Sequence, residues 1–210
     1  MAIVAAFDFD GTLTRRDSFG PFLLRIAGAT AVASALATRP ALVSRIARGR
    51  GGRDEMKEHV LARLMTGRDA PFVREEGRRY AEHVVASGLR DDTVGRMAWH
   101  REAGHRVVIV SASLDSYLRR VGELLRVDAV LCSEMEERDG TLTGRLVGPN
   151  CRGEEKVRRV RRWLRDEPAE LWAYGDSKGD AELLAAAAHP FLVGRQRLAA
   201  TPDALDGARG

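Results

Sequence analysis

Cysteine, lysine and long hydrophobic runs are scarce in this sequence of 210 residues. Its two cysteines, Cys132 and Cys151, are too few for a disulfide framework or a cysteine zinc site. A reducing cytoplasm is therefore the expected compartment. No apolar run approaches the roughly 20 residues that a membrane-spanning helix needs. The first residues lack a basic region, so we expect no secretory signal.

Lysine occurs only at positions 57, 156 and 178, so nearly all the positive charge is arginine. The formal net charge of +4 is compatible with an anionic substrate, but it does not indicate a nucleic-acid partner. The composition, 44% hydrophobic and 30% charged, is typical of a globular protein. The length allows one domain with an insert.

The segment 2–7 is apolar and predicts a buried parallel strand. Asp8 and Asp10 follow it, and Gly11 and Thr12 come next. Buried acids are costly unless they are paired or bind a cation. Carboxylates suit Mg²⁺, and an aspartate can also be a nucleophile that becomes an aspartyl-phosphate. The alternative is an Asp-rich turn whose side chains only cap backbone amides.

Residues 18–87 show helical spacing and no convincing strand. Pro40 and the Gly-rich segment 48–53 interrupt the pattern. Asp54 is a candidate cap for a second helix, and Asp69 for a third. We therefore predict a small insert of three or four helices.

From residue 88 onward, strands alternate with helices. Apolar segments at 107–110, 129–132, 171–174 and 190–193 predict strands, and Asp139-Gly140 predicts a hairpin within 134–147. Helices are predicted at 91–100, 154–165 and 180–188, and the tail after Thr201 is expected to be loose. This alternation favours an α/β fold with a doubly wound parallel sheet, whose ligands bind at the carboxyl ends of the strands.

Polar residues follow two of these later strands. Ser111 comes after the strand at 107–110, and with the amides of Ala112 and Ser113 it would hold an anion at a helix N-terminus. For Ser111 taken alone, an ordinary serine N-cap is the favoured interpretation, because such caps are very common. Asp176 and Asp180 follow the strand at 171–174. The alternative for Asp180 is that it only caps the helix that follows.

Lys156 is predicted in the first turn of a helix, where a cation opposes the helix dipole. Such local conflicts tend to occur at functional sites, although a solvated lysine paired with a neighbouring glutamate is the alternative. Together, an acid pair, a serine, a lysine and a second acid pair at successive strand or helix ends indicate phosphoryl transfer.

These segments resemble the four motifs of the haloacid dehalogenase-like phosphatases, in their phosphoserine-phosphatase-like branch. The resemblance spans residues 3 to about 194 and implies a Rossmann-like core with a small helical cap inserted after the first strand. The domains would be a core of 1–15 and 88–210 and a cap of 16–87. The resemblance depends on four segments: Asp8 to Thr14, Val110 to Ser113, Lys156, and Gly175 to Asp180.

The resemblance also implies roles for individual residues. Asp8 would be the nucleophile, and Asp10 the general acid that later activates water. Mg²⁺ would be held by Asp8, the backbone carbonyl of Asp10, and Asp176, with Asp180 supporting the metal site. The phosphate-binding residues would be Ser111, Ala112, Lys156, Gly11 and Thr12.

Asp17 stands where phosphoserine phosphatases carry a glutamate that contacts the substrate amine, so it is the candidate substrate residue. It is also a candidate cap for the helix that follows. Gly11 and Gly179 differ from phosphoserine phosphatases, in which serine is common at the first of these positions and asparagine occupies the second.

We therefore predict a Mg²⁺-dependent phosphomonoester hydrolase that acts on a small, phosphoserine-like metabolite in the cytoplasm, without a nucleic-acid partner. One alternative is a lipid-phosphate phosphatase at the membrane surface, because residues 17–23 resemble bacterial phosphatidylglycerophosphate phosphatases. The other is a non-catalytic binding module on the same fold. The arginines and apolar residues of the first insert helices indicate a packing face in the favoured interpretation, and a surface for anionic lipid in the other.

Overall fold

The computed structural model describes residues 2–194 and residue 198. Its main sheet has five parallel strands in the order β3-β2-β1-β6-β7, with helices on both faces, which confirms the predicted doubly wound α/β fold. The strands of this sheet are β1 (Ala2–Phe7), β2 (Arg106–Leu114), β3 (Ala129–Ser133), β6 (Ala169–Gly175) and β7 (His189–Leu192).

The central strand, β1, is buried from Val4 to Phe7 because both of its faces are covered. Val4 and Ala6 face a cluster with helices α8 (Glu154–Leu164) and α9 (Ala181–Ala185). Ala5 and Phe7 face the larger cluster, which includes α6 (Asp91–Glu102), α7 (Asp115–Leu125) and the insert. Alternate side chains of one apolar strand thus fill both halves of the core.

The register places the ends of the central strands side by side. Phe7 pairs with Ile109 of β2 and with Tyr174 of β6. The residues that follow these three positions therefore meet at one edge of the sheet, where α/β proteins bind their ligands.

The insert between β1 and α6 contains five helices in the part of the chain that the structure describes, so the prediction of three or four was wrong. Gly28, with φ of 81°, divides an alanine-rich run into two helices, and Pro40 begins the third. The helices are α1 (Phe19–Ala27), α2 (Ala29–Ala37), α3 (Pro40–Ala47), α4 (Arg53–Leu64) and α5 (Ala70–Ser87).

The two predicted caps of the insert have different outcomes. Asp69 does cap α5, where its carboxylate accepts a hydrogen bond of 2.6 Å from the amide of Phe72. Asp54 does not cap α4, because Gly52 precedes that helix in a left-handed conformation and Asp54 lies in its first turn. The carboxylate of Asp54 is instead bonded to the side-chain amide of Asn150 at 2.6 Å.

The predicted hairpin is confirmed as β4 (Met135–Arg138) and β5 (Thr141–Leu146). Asp139 and Gly140 both have positive φ, as a tight type I′ turn requires. Gly144 lies so close to α4 that an added Cβ would be 2.9 Å from the Cα of Ala62. The hairpin therefore supports the insert from the far half of the chain.

The predicted helix start at Ser111 was wrong. Strand β2 continues through Ser111 to Leu114, and α7 begins only at Asp115. Pairing with β3 shifts register between Ser111 and Leu114, so a bulged strand takes the place of the expected helix N-terminus. The predicted helix at 180–188 is also shorter, since it comprises a 3₁₀ turn at 178–180 and α9.

No single helix among residues 2–194 is long and apolar enough to cross a membrane. Helices α1 and α2 meet that test only when taken together, and they are bent by 114°. The predicted loose tail after Thr201 lies outside the described residues.

Candidate active site

Asp8 lies at the carboxyl end of β1 and is 6% exposed. Its amide donates a hydrogen bond of 2.9 Å to the carbonyl of Tyr174, which fixes the backbone against β6. Burial raises the pKa of the Asp8 carboxyl, and the nearby Lys156 opposes this shift. A buried carboxylate at this position needs a positive partner to stay charged.

Lys156 supplies that partner. Its Nζ lies 2.5 Å from Oδ1 of Asp8 and 2.5 Å from Oδ1 of Asp180, and its side chain is 2% exposed. Burial alone would lower the pKa of Lys156, but the two carboxylates outweigh that effect and raise it. The lysine in the first turn of α8 is thus a fixed cation and not a solvated side chain.

Asp176 and Asp180 follow β6, the strand next to Asp8. Oδ2 of Asp180 accepts hydrogen bonds from the hydroxyl of Ser177 at 2.9 Å and from its amide at 3.1 Å. Asp180 is therefore the third residue of a capping box that begins at Ser177, and at the same time a buried partner of Lys156. It makes no side-chain cap bond to α9. The carboxylate of Asp176 accepts no side-chain hydrogen bond among the described residues, and Asp176 is exposed towards the cavity described below.

Carboxylate oxygens of Asp8, Asp176 and Asp180 all lie within 4.8 Å of one another. Burial, followed by the negative charges of Asp8 and Asp180, raises the pKa of Asp176 to about 6. Three acids beside one lysine leave an excess of negative charge that a divalent cation would neutralise. Oxygen donors of this kind are those that Mg²⁺ prefers, so the residues present fit a magnesium site.

Asp10 is held by two hydrogen bonds. Its Oδ1 accepts from the amide of Ser18 at 2.8 Å, and its Oδ2 accepts from the hydroxyl of Ser113 at 2.6 Å. Burial raises the pKa of Asp10 to about 7, although both hydrogen bonds lower it. A carboxyl of this kind is suited to donating and accepting a proton near neutral pH. From the sequence, only the amide of Ser113 was predicted to have a role, as a donor to a bound anion. In the structure, the hydroxyl of Ser113 donates to Asp10.

Gly11 brings the first segment close to Asp176. An added Cβ on Gly11 would lie 2.2 Å from Oδ2 of Asp176, and its φ of 82° favours glycine. Thr12 is fully buried, its hydroxyl has no hydrogen-bond partner among the described residues, and it does not line the cavity. Its role in binding phosphate stays a prediction.

One cavity of about 580 Å³ joins these side chains. Every predicted site residue except Thr12 lines it. The acids, the serines and Lys156 form the wall on the side of the sheet, which we call the core wall. Most of the other lining residues belong to the insert, and we call this part of the lining the insert wall: Arg15 just before the insert, and Arg16, Asp17, Phe19, Ile46, Arg53, Asp54, Met56 and Lys57 within it, with Asn150 and Arg152 from the core.

Ser111 and Ala112 lie on the core wall in extended backbone. The hydroxyl of Ser111 accepts a 3.2 Å hydrogen bond from the amide of Ser113, and Ser111 is 2% exposed. The carbonyl of Ala112 accepts a hydrogen bond from Nζ of Lys57. Both residues line the cavity, although no helix begins there as predicted.

The sequence did not single out Lys57 and Asn150. Nζ of Lys57 lies 2.7 Å from Oδ1 of Asn150, which also accepts a 2.7 Å hydrogen bond from the hydroxyl of Ser133. Burial lowers the pKa of Lys57 to about 8. These bonds connect helix α4 of the insert to the core directly above the site. The rarity of lysine in this chain was the only signal for Lys57.

Asp17 is exposed and lines the cavity. Its Oδ2 also accepts a 2.9 Å hydrogen bond from the amide of Gly20 in the first turn of α1. This bond gives Asp17 the contact of a helix cap, whereas its role as the substrate residue stays a prediction.

Residues 5–185 of this chain match the haloacid dehalogenase-like hydrolase family in sequence. Protein CicA of Caulobacter vibrioides is 37% identical over 191 residues, which are 88% of this chain and 83% of CicA. Phosphoserine phosphatase SerB1 of Mycobacterium tuberculosis is 29% identical over 144 residues, which are 67% of this chain and 44% of that protein.

The fold is also similar to that of a solved structure. A protein of unknown function from Bordetella pertussis Tohama I superposes with a TM-score of 0.77 at 25% identity, covering 100% of this chain and 96% of that one. The family match spans most of the chain and includes both acid pairs. The protein therefore belongs to the haloacid dehalogenase-like hydrolases, and among them to the phosphoserine-phosphatase-like branch.

Proposed function

We propose that this phosphatase is a Mg²⁺-dependent hydrolase of a small phosphorylated metabolite, and that it works through an aspartyl-phosphate on Asp8. The observation that carries the proposal is the convergence of Asp8, Lys156 and Asp176, from three distant parts of the chain, on one cavity. A nucleophile, a fixed cation and a set of oxygen ligands are what phosphoryl transfer needs at one point.

In the first step, a carboxylate oxygen of Asp8 forms a bond to phosphorus while the bond from phosphorus to the leaving oxygen breaks. Lys156 holds the Asp8 carboxylate in place and stabilises negative charge on the transferring group. The hydroxyl of Ser111 and the backbone around Ala112 lie on the same wall and are the candidate donors to the phosphate oxygens.

Asp10 would protonate the leaving oxygen in the first step and remove a proton from water in the second. Its pKa of about 7 allows both forms near neutral pH. The bonds from Ser18 and Ser113 fix its orientation, and Ser18 lies just before the first helix of the insert. Water then releases inorganic phosphate and restores Asp8.

Asp8, Asp176 and the backbone carbonyl of Asp10 would hold Mg²⁺, with Asp180 supporting them through Lys156 and Ser177. When bound, the ion would neutralise phosphate charge that the acids on the core wall would otherwise repel. Asp180 has most of its acceptor capacity filled by protein donors, which favours a supporting role.

The helical segment 16–87 would act as a cap over the core formed by 1–15 and 88–210. Asp17 and the arginines of the insert wall would select the substrate, and exclusion of water during transfer would favour a closed cap. A phosphorylated amine such as phosphoserine fits Asp17. The relative SerB1, named a phosphoserine phosphatase, supports this substrate class. Free, buried Cys132 and Cys151 fit the predicted reducing cytoplasm.

A lipid phosphate is the second candidate substrate. Phe19, Ile46 and Met56 give the insert wall an apolar part that a small polar metabolite does not need. A lipid with a phosphomonoester headgroup would use both the arginines and this apolar part.

The test is a screen of phosphate esters, including phosphoserine and phosphatidylglycerophosphate, with and without Mg²⁺. We expect Mg²⁺-dependent release of phosphate, with the best kcat/KM for a small ester. Preference for the lipid would replace the first candidate with the second. No hydrolysis of any ester would contradict the enzyme and favour the non-catalytic binding module.

A further inference from the structure

The first part of the insert has an unusual distribution of charge. Residues 18–53 contain six arginines and no aspartate, glutamate or lysine. The whole chain has 30 acidic residues among 210, so a stretch of this length without any acid is a strong local bias. The arginines are Arg25, Arg39, Arg45, Arg48, Arg50 and Arg53.

The same stretch exposes apolar side chains. The described residues include six exposed large hydrophobic side chains, and three of them lie here: Leu24 is 46% exposed, Leu36 36% and Val43 40%. They lie on α1, α2 and α3, and each of these helices also buries apolar residues on its inner face. An ordinary surface helix presents polar residues outward, whereas each of these helices also presents one large apolar side chain to solvent.

Part of the positive charge is not neutralised. Arg25 pairs with Glu76 at 2.8 Å, and Arg45 pairs with Glu55. Among the described residues, Arg48 and Arg50 have no acidic side chain within ion-pair distance, and both are exposed. They follow α3 directly, so exposed cations lie within a few residues of Val43, one of the exposed apolar side chains.

We propose that the exposed surface of residues 18–53, which we call the arginine surface, docks on a bilayer that contains anionic lipid. Aliphatic side chains would enter the boundary between headgroups and acyl chains, while arginines would meet lipid phosphates. Anionic lipid complements both properties of the surface: it has negative charge for the arginines and hydrocarbon for Leu24, Leu36 and Val43.

Two other occupants fit the surface less well. A second copy of the chain would bring unpaired arginines against arginines, and like charges oppose such an interface. A single-stranded RNA would use the arginines but would gain little from the exposed aliphatic residues, since bases bind by stacking on aromatic side chains. Both occupants are outcomes that the experiment below distinguishes.

The arginine surface adjoins the mouth of the cavity. Ile46 and Arg53 belong to the stretch and also line the insert wall. Docking would therefore place the active-site entrance near the lipid headgroups. The docking proposal does not rest on the proposed function, because it is measured by binding and not by turnover.

The experiment is flotation of the full chain with vesicles of phosphatidylcholine, alone or mixed with phosphatidylglycerol. We expect binding only to the mixed vesicles, with loss of binding at high salt because screening weakens the arginine contacts. Each arginine near an anionic surface contributes roughly fivefold in partitioning, so Arg48→Glu with Arg50→Glu should weaken binding at least about 25-fold.

The matched control is Arg78→Glu with Arg161→Glu, which changes the net charge equally at exposed sites outside the stretch. This pair should bind nearly as well as the parent. A third variant, Leu24→Ser with Leu36→Ser and Val43→Ser, should lose binding at unchanged charge. Circular dichroism and hydrolysis of a soluble aryl phosphate should be unchanged in all three variants.

Absence of binding to mixed vesicles at low salt would overturn the proposal. Equal losses in the control pair would also overturn it, because they would reflect net charge alone. Dimerisation lost in the serine variant, or RNA binding lost in the Arg48 and Arg50 variant, would assign the surface to another occupant if vesicles were not bound.

Discussion

The two walls of the cavity differ in burial and in connectivity. On the core wall, Asp8, Lys156 and Asp180 are at most 8% exposed in their side chains, and Lys156 contacts both carboxylates directly. On the insert wall, Arg15, Arg16, Asp17 and Arg53 are exposed. Asp8, Lys156 and Asp180 are thus held by direct contacts, whereas Asp176 on the same wall is exposed, as are most groups assigned to selection.

Because the two walls differ in this way, substitutions on them should affect different kinetic parameters. Changes on the core wall should reduce turnover, because Lys156 and Ser113 hold the carboxylates of Asp8 and Asp10, and Asp176 belongs to the metal site. Changes on the insert wall should alter KM and substrate preference, because in the proposed mechanism those side chains would contact the leaving group and not the transferred phosphate.

Asp8→Asn should have the largest effect. The amide is a poor nucleophile, so kcat should fall on the order of 10⁴-fold or more, while circular dichroism shows a folded protein. The control is Asp166→Asn, an exposed residue with φ of 59° that asparagine tolerates. Normal turnover in Asp8→Asn would remove the distinction between the walls.

Removal of metal should come next. A chelator should abolish activity, and added Mg²⁺ should restore it and raise the midpoint of thermal unfolding, because a ligand that binds the folded state stabilises it. Asp176→Asn should raise the Mg²⁺ concentration that gives half of this thermal shift by about tenfold. Full activity in the chelator would contradict the magnesium site.

Lys57→Met tests the connection between the walls. It removes the bonds to the carbonyl of Ala112 and to Asn150, so KM should rise on the order of tenfold with a smaller change in kcat. Lys178→Met, at an exposed lysine, is the control. A loss confined to kcat would move Lys57 to the chemistry of the core wall.

Asp17→Asn should have an effect that depends on the substrate. If Asp17 contacts an amine, kcat/KM for a phosphorylated amine should fall about tenfold, whereas an uncharged aryl phosphate should be little affected. Equal losses for both substrates would contradict the contact with an amine, because asparagine can still accept the hydrogen bond from the amide of Gly20.

The smallest expected effect is on the pH dependence of folding stability, and it comes from the buried side chain of His100. His100 is fully buried against the hydroxyl of Tyr174 at 2.9 Å, and burial, with the charges of His105 and Arg96, lowers its pKa to about 3. The unfolded chain binds a proton near pH 6.5 and the folded protein does not. Stability from this group is therefore complete above pH 6.5 and declines as the pH falls towards 3.

At pH 5 the free energy of unfolding should be about 2 kcal/mol lower than above pH 6.5, because of His100. Urea unfolding at several pH values should show a flatter profile over this range for His100→Gln, and an unchanged profile for His83→Gln, an exposed histidine. An equal slope in the parent and His100→Gln would contradict the assignment.

The sequence predicted the core wall well, because each of its residues follows a local pattern. Asp8 and Asp176 come directly after apolar strands, and Lys156 stands in the wrong place for a helix dipole. Parallel pairing brings these ends together without further information. The same reasoning placed the start of α7 too early, at Ser111, because Ser-Ala-Ser resembles a helix cap. In the structure, pairing with β3 extends the strand β2 through these residues instead.

The insert wall was much less predictable. Lys57 and Asn150 are 93 positions apart, and neither belongs to a local pattern that indicates their contact. The number of helices was wrong because Gly28 alone interrupts a run of residues that favour helix. Contacts between an insert and a core depend on packing, and periodicity within one segment does not report it.

The most direct test of the central claim is to trap the intermediate. The protein is mixed with substrate, quenched in acid, and reduced with borohydride, which converts an aspartyl-phosphate to homoserine. Peptide mass spectrometry should find homoserine at position 8 in the parent and nowhere in Asp8→Asn. Homoserine at position 10 or 176, or at no position while phosphate is released, would contradict nucleophilic attack by Asp8.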